Sequence, residues 1–275
     1  MNKAQLYKIV QDYTNNSPLN RVSKERALEE RLIGMRMYEE PLMMCGSVDD
    51  ELFKRFKNPS IIGEHFLPPE EWLDGAKSVI SIFMPFMETV KKTNAAIPDM
   101  PSNEWLHARM EGQEFIVAMT KHLKEYIEEA GYGCVAPCID SRFKGGNPQV
   151  SDNRLQSFYT SNWSERHAGF VCGQGTFGLS KGLISKKGIA GRYTSLIVDF
   201  ELDYDGRDYT DPYEYCTMCG ACVIKCPVDA ISKEEGKKHP LCSDYLDMTN
   251  KKYFPRYGCG KCQVGVPCES RVPGR

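Results

Sequence analysis

The twelve residues CTMCGACVIKCP carry four cysteines at the spacing Cys216-x2-Cys219-x2-Cys222-x3-Cys226-Pro227. No other stretch limits the chain's fold as tightly. Three thiolates in a tight turn can wrap three corners of one polynuclear cluster, while a fourth, one helical turn on, points elsewhere. Gly220 and Ala221 are small, so the backbone can approach such a cluster and offer N–H groups to its sulfurs. A second set follows: Cys242, then Cys259-x2-Cys262-x5-Cys268.

The first run has the bacterial ferredoxin pattern, in which the fourth cysteine serves the other cluster. The expected division puts Cys216, Cys219, Cys222 and Cys268 on one 4Fe-4S cluster. Cys226, Cys242, Cys259 and Cys262 would hold a second. The second run departs from the plain pattern, because QVGVP gives an x5 gap and Cys242 lies well upstream. The eight ligands are therefore better defined than their pairing. Zinc is the alternative for C-x2-C pairs, but it rarely uses C-x2-C-x2-C-x3-C-P. Eight of the 12 cysteines lie in the tail, and the N-terminus lacks the apolar core of a signal peptide. That combination favours metal ligation in a reducing, cytoplasmic setting over a disulfide framework. Cys45, Cys134, Cys138 and Cys172 read as buried thiols.

The formal net charge of −2 provides no positive field to invite nucleic acid. The longest apolar stretch, near SVISIFMPFM, is too short to span a bilayer, so no membrane is expected.

AQLYKIVQDY places Leu6, Ile9, Val10 and Tyr13 on one helical face. The charged stretch SKERALEERLIGMRMYEE reads as a helix stopped by Pro41. AKSVISIFMPF and RYTSLIVDFEL read as strands. Residues 103 to 130 form the clearest helix, with Phe115, Ile116, Met119, Leu123, Tyr126 and Ile127 at helical spacing. Gly131 is placed to end it in the left-handed conformation. CVAPC returns as a strand, and another helix runs from Ser164 into Cys172. The acidic segment DYDGRDYTDPYEY marks a domain boundary, with 1–207 as an α/β (α+β) domain and 208–275 as a ferredoxin-like domain. GQGTFG contributes Gly173, Gly175 and Gly178, which match G-x-G-x-x-G numerically. A helical element precedes it, which sets a nicotinamide fold aside.

SERHAGFVCGQGTFGLSKGLI, then RYTSLIVDFEL, the cysteine set and GCGKCQVGVPCESR together resemble the epoxyqueuosine reductase family, which is related to reductive dehalogenases. The resemblance covers the chain from about Ala76 onward and is strongest from Trp163. It implies a nitroreductase-like α/β domain that binds cobalamin, followed by a two-cluster ferredoxin module. It also implies that Gly173, Gly175, Thr176, Phe177, Gly178 and Asp199 border the corrinoid, with Arg166 and Lys181 at its amide or phosphate periphery. In the family an aspartate proton donor precedes the Glu-Arg pair. Counting back from Glu165-Arg166, that place falls near Tyr159, and tyrosine is the donor in reductive dehalogenases. His167 is the second candidate acid.

The tRNA-modifying members continue into a helical-repeat region, whereas this chain stops seven residues after Cys268. With no basic stripe, tRNA is a poor expectation. The implied reaction is a cobalamin-dependent reduction of a small molecule. A low-potential donor such as ferredoxin or flavodoxin would feed it, and a nearby acid would protonate what leaves. Three competing readings remain: an iron–sulfur electron carrier or activating subunit, a flavin-bearing nitroreductase-like domain, and a zinc-bound structural module.

Overall fold

The computed structural model describes residues 1–145 and 160–274. Six strands precede the cysteine-rich tail: β1 (Leu42–Ser47), β2 (Ser78–Pro85), β3 (Cys134–Val135), β4 (Gly175–Phe177), β5 (Leu183–Ser185) and β6 (Gly191–Val198). Four of them form one antiparallel sheet in the order β1-β2-β6-β3, and β4 pairs with β5 apart from it. β2 lies between β1 and β6, with Ile80 opposite Cys45 on one side and Leu196 on the other. All eight of its residues are buried, which explains its largely apolar sequence.

Helices cover both faces. They are α1 (Lys3–Asn16), α2 (Glu51–Arg55), α3 (Pro69–Trp72), α4 (Glu88–Ala96), α5 (Asn103–Glu129) and α6 (Glu165–Val171). Alternation along β2 sends Ile80, Ile82 and Met84 into a core with Leu6 and Val10 of α1 and Phe115, Met119 and Leu123 of α5. Val79 points to the other core, with Phe53 of α2, Trp163 and Ala168. The result is a three-layer mixed α/β architecture.

Local chemistry starts the helices where the residues predict. In α1, Asn2 accepts from the Gln5 N–H and Gln5 returns the bond, closing a capping box. In α5, the Ser102 hydroxyl accepts from the Trp105 N–H at 3.1 Å. Gly131 follows α5 at φ 87°. Tyr126, expected on the buried stripe, is instead exposed.

Residues 23–40 do not form the expected helix. They fold as turns with one short 3-10 segment, Glu30–Leu32, and Gly34 adopts φ 78°. Contacts from outside the segment override its helix propensity. Arg26 pairs with Glu111 and Glu114, Arg31 pairs with Glu104, and Leu32, Met37 and Tyr38 are buried separately.

Past β6 the chain returns over the α/β layers. The Asp205 carboxylate accepts from Lys3 Nζ at 2.6 Å and from the Cys45 N–H at 2.8 Å. The boundary expected near Arg207 is crossed by a shared core, in which Phe170, Leu183 and Ile184 pack with Tyr209, Tyr215 and Val266. No helix among the described residues is long and apolar enough to cross a membrane.

A buried charge cluster on α5 joins the tail to the α/β layers. Glu111 pairs with His107 at 3.2 Å, Arg26 at 3.4 Å, and Arg256 of the tail. Burial pushes the Glu111 carboxyl up, but hydrogen bonds from His107 and Arg256 outweigh it and hold the group at about 2. Its folded value lies below its unfolded one. The stabilisation is therefore present above about pH 4.5 and is lost as pH falls toward 2. Glu111→Gln should cost about 3 kcal/mol at pH 7, as breaking a buried pair does. Denaturant titrations of both chains should show that gap narrowing as pH drops from about 4.5 toward 2.

Candidate metal centre and adjoining recess

The tail repeats one local device. Cys219-Gly220-Ala221-Cys222 and Cys259-Gly260-Lys261-Cys262 each turn through a left-handed glycine, at φ 79° and 71°. Each glycine opens a short helical turn, α7 (Ala221–Ile224) in the first case and the 3-10 segment Lys261–Gln263 in the second. The reversal places two thiols on the same side of a tight bend, and only glycine adopts that backbone without strain. Pro267 and Cys268 return to the first bend. There the Ile189 N–H donates to the Cys268 carbonyl at 2.8 Å. The long helix α8 (His239–Tyr253) carries Cys242 to the second bend.

The eight thiols line two hollows. Cys216, Cys219, Cys222 and Cys268 surround one. Cys226, Cys242, Cys259 and Cys262 surround the other. Among the described residues, no three His, Cys, Asp or Glu side chains converge as the ligands of one metal ion would. The four thiols of each hollow stand around a space, as the ligands of a polynuclear cluster do. The Ala230 N–H reaches Cys226 Sγ at 3.2 Å, the kind of bond that stabilises a ligating sulfur.

Burial pushes the Cys222 thiol up to about 11 and the Cys259 and Cys268 thiols up to about 12. Ligation must therefore displace protons from these groups. Lys261 also lines the second hollow. Burial pushes its ammonium down to about 8, against the opposing pull of Cys259.

A recess adjoins the second hollow. Arg166 is exposed there, and Tyr193 and Lys237 are half-buried. The charge of Arg166 acts on Cys262, Tyr193 and Arg192, and that of Lys237 acts on Cys262, Cys242 and Arg166. Arg192 Nε and Glu165 Oε2 are buried without hydrogen-bond partners. The Arg166 and Lys237 cations and the unpaired Arg192 Nε are donors of the kind that suit the amide and phosphate edge of a large cofactor such as a corrinoid.

His167 borders the recess. Its ring lies between Phe56 and Phe177, each 4.9 Å away, and Nδ1 faces the Ser164 hydroxyl at 2.8 Å. Burial, helped by Arg166, pushes it down to about 4, so the ring is neutral at pH 7.

The Gly-rich run is placed differently. A Cβ on Gly175 would clash with the Ile184 carbonyl, and one on Gly173 would stand 3.0 Å from the Gly206 carbonyl. These glycines admit neighbouring backbone of the same chain. Thr176 is buried and its hydroxyl accepts from the Tyr215 N–H at 2.8 Å. Phe177 packs on His167, while Gly178 lines the first hollow.

Asp199 is not brought to the recess. It lies beyond β6, about 20 Å along the strand from Tyr193 at 3.3 Å per residue. There it accepts from the Gly133 N–H at 2.8 Å. Tyr159 lies outside the described residues.

Two features escaped the sequence reading. Cys138, expected to be buried, is exposed, and its thiol donates to Glu165 Oε1 at 2.8 Å. Lys237 joins Arg166 across 71 positions, a proximity that no local spacing signals.

The fold and the thiol sets define a mixed α/β protein that carries an iron–sulfur module: the family described as the 4Fe-4S binding domain matches residues 210–232. The larger resemblance is to epoxyqueuosine reductases. The enzyme of that name from Leadbetterella byssophila is 25% identical over 233 residues, covering 76% of this chain and 65% of that protein. The one from Cyclobacterium marinum is 23% identical over 224 residues, covering 75% and 64%. The chain thus spans a little under two thirds of the length of these relatives. A crystal structure of epoxyqueuosine reductase with an epoxyqueuosine-modified tRNA stem loop shares the fold. It aligns at a TM-score of 0.52 with 14% identity, over 99% of this chain and 67% of that one.

A Cβ on Gly260 would sit inside the buried Trp105 indole of α5. Gly260→Ala should therefore displace the second bend and cost more than the roughly 1 kcal/mol of a left-handed alanine alone. Iron and sulfide analysis after anaerobic reconstitution should show about half of the wild-type content, with the first thiol set still loaded.

Proposed function

We propose that this chain is a cobalamin-dependent iron–sulfur reductase acting on a small electrophilic molecule. In this reading residues 1–207 supply the corrinoid and substrate sites and residues 208–275 supply the electrons. One observation carries it: a four-thiol hollow of the tail, which Lys237 lines, lies close enough to Arg166 of the α/β part for the guanidinium charge to act on Cys262. Electrons delivered to that hollow have somewhere to go. The resemblance to epoxyqueuosine reductases supports the same reading.

Cobalamin, when bound, supplies the low-potential reductive chemistry that no side chain can. The chain's own residues bind and orient. Arg166 offers a guanidinium whose Nη1 already donates to the Lys181 carbonyl at 2.7 Å, which fixes its direction. Arg166 and Lys181 hold the cofactor's polar edge. The neutral His167 ring, wedged between Phe56 and Phe177, positions and hydrogen-bonds, and Tyr159 is left as the proton donor. A low-potential one-electron donor of the ferredoxin or flavodoxin class reduces the tail. A small molecule is favoured over tRNA, because net charge is −2 and the sequence carries no run of basic residues.

Anaerobic reconstitution with iron, sulfide and cobalamin tests this. About eight irons per chain and a Co(II) corrinoid signal by electron paramagnetic resonance are expected. Full iron content with no retained corrinoid would leave an electron carrier instead. Once a substrate is found, Tyr159→Phe should lower turnover by about 10²–10⁴-fold with the corrinoid still bound. Unchanged turnover removes Tyr159 from the mechanism.

A further inference from the structure

The two hollows differ in charge. The first is lined by Gly178, Leu179, Ile184, Met218, Val266 and other uncharged residues around its thiols. The second includes Lys237 and Lys261. Lys261 is almost fully buried, and its ammonium donates to the Asn94 carbonyl at 2.6 Å and to Asn94 Oδ1 at 3.0 Å, neither of them charged. Asn94 in turn donates to the Cys259 carbonyl at 2.9 Å. Lys237, on the short strand Gly236–Lys237, lines the same hollow as Cys242 and Cys262, and its charge acts on both. Lys233 approaches the first bend near Gly220, but its side chain is exposed, where salt screens its charge.

The hollows also differ in what they face. Cys219 is exposed, and Met218 and Ile224 beside it present apolar surface to solvent, Ile224 at 86%. The second hollow faces the recess instead, through Cys262, Lys237 and Arg166.

We propose that Lys237 and Lys261 make the second thiol set the electron sink of the pair, so that an electron arriving at the exposed first set passes inward to the recess. The inference rests on the two-cluster reading above. A reduced cluster carries one more negative charge than an oxidised one. Two ammonium groups held beside it in low dielectric favour that charge, and no comparable group lines the first hollow. In the transfer the first cluster loses one electron, the second gains it, and no bond or proton moves. The external low-potential one-electron donor then re-reduces the first cluster. Lys237 and Lys261 are positioning residues here, because they act on the cluster's charge without touching substrate.

The test is a redox titration of the anaerobically reconstituted full chain, followed by electron paramagnetic resonance. Two reduction waves are expected, and Cys262→Ser should remove the higher one, assigning it to the second set. Lys237→Met should shift that wave to more negative potential and leave the lower wave in place, while Lys237→Arg keeps it near the wild-type position. Lys261→Met should act in the same direction, and Lys237 provides the reading if that buried variant does not fold. Eight bound irons with both waves unmoved by Lys237→Met, or a higher wave that belongs to the first set, would overturn the inference and leave the two-cluster reading intact. Failure to bind a second cluster at all would overturn both.

Discussion

The structure turns on two left-handed glycines, each set between a pair of cysteines. Gly220 and Gly260 reverse the chain within one residue, and each reversal brings two thiols to the rim of a hollow. Any Cβ at Gly260 would collide with Trp105, so the second bend can seat only against this face of α5. The backbone conformation that gathers the ligands also docks the tail. Met218, at φ 50° inside the first bend, is a non-glycine residue held in the same region. Its strain of about 1–3 kcal/mol is tolerated because the flanking thiols and turns over-determine the path.

Helix α5 then sets the distance between chemistry and scaffold. Its middle lies on the sheet, where the Thr120 and Thr194 hydroxyls meet at 3.0 Å. Its N-terminal half meets the tail through Trp105 and through Glu111, which holds Arg256. One rigid element thus touches both β6, whose first residues border the recess, and the bend that carries Cys259 and Cys262. A rotation of the tail would have to break a buried charge pair and unpack an indole together. That coupling keeps the second hollow beside the recess. The first hollow, tied mainly through Cys268 and the shared core around Phe170 and Tyr215, stays at the exposed side.

How much of this was legible in the residues follows from the range of the interactions. The thiol sets could be read because ligand spacing is local and the chemistry of Cys-x2-Cys-x2-Cys-x3-Cys-Pro is narrow. β2 and β6 could be read because their buried residues form mainly apolar, β-branched runs, and α6 because Ser164 caps it. Residues 23–40 misled because their composition favours a helix while their arginines are held by Glu104, Glu111 and Glu114, more than seventy positions away. The Gly-rich run was legible as a place of close approach, and Ile184 and Gly206 of this chain are what approach. Arg166, Arg192 and Lys237 gather only once the tail has folded back, so nothing in the order of residues announces the recess.

The electrostatics of the second hollow explain why the tail and its clusters should assemble together. Burial drives Cys259 and Cys262 toward neutral thiols and pushes the Lys261 ammonium down to about 8. Each shift is a cost of holding charge away from water, and an ammonium beside neutral thiols gains little in return. A polyanionic cluster reverses the balance. It takes the thiols as thiolates and offers Lys261 and Lys237 the counter-charge that Asn94 and neutral sulfur do not. Its binding free energy is then also folding free energy for the bends, the docking of Trp105 and the closure of the recess. The lysines that favour an electron on this cluster are, by the same Coulombic term, the groups that most need the cluster to be there.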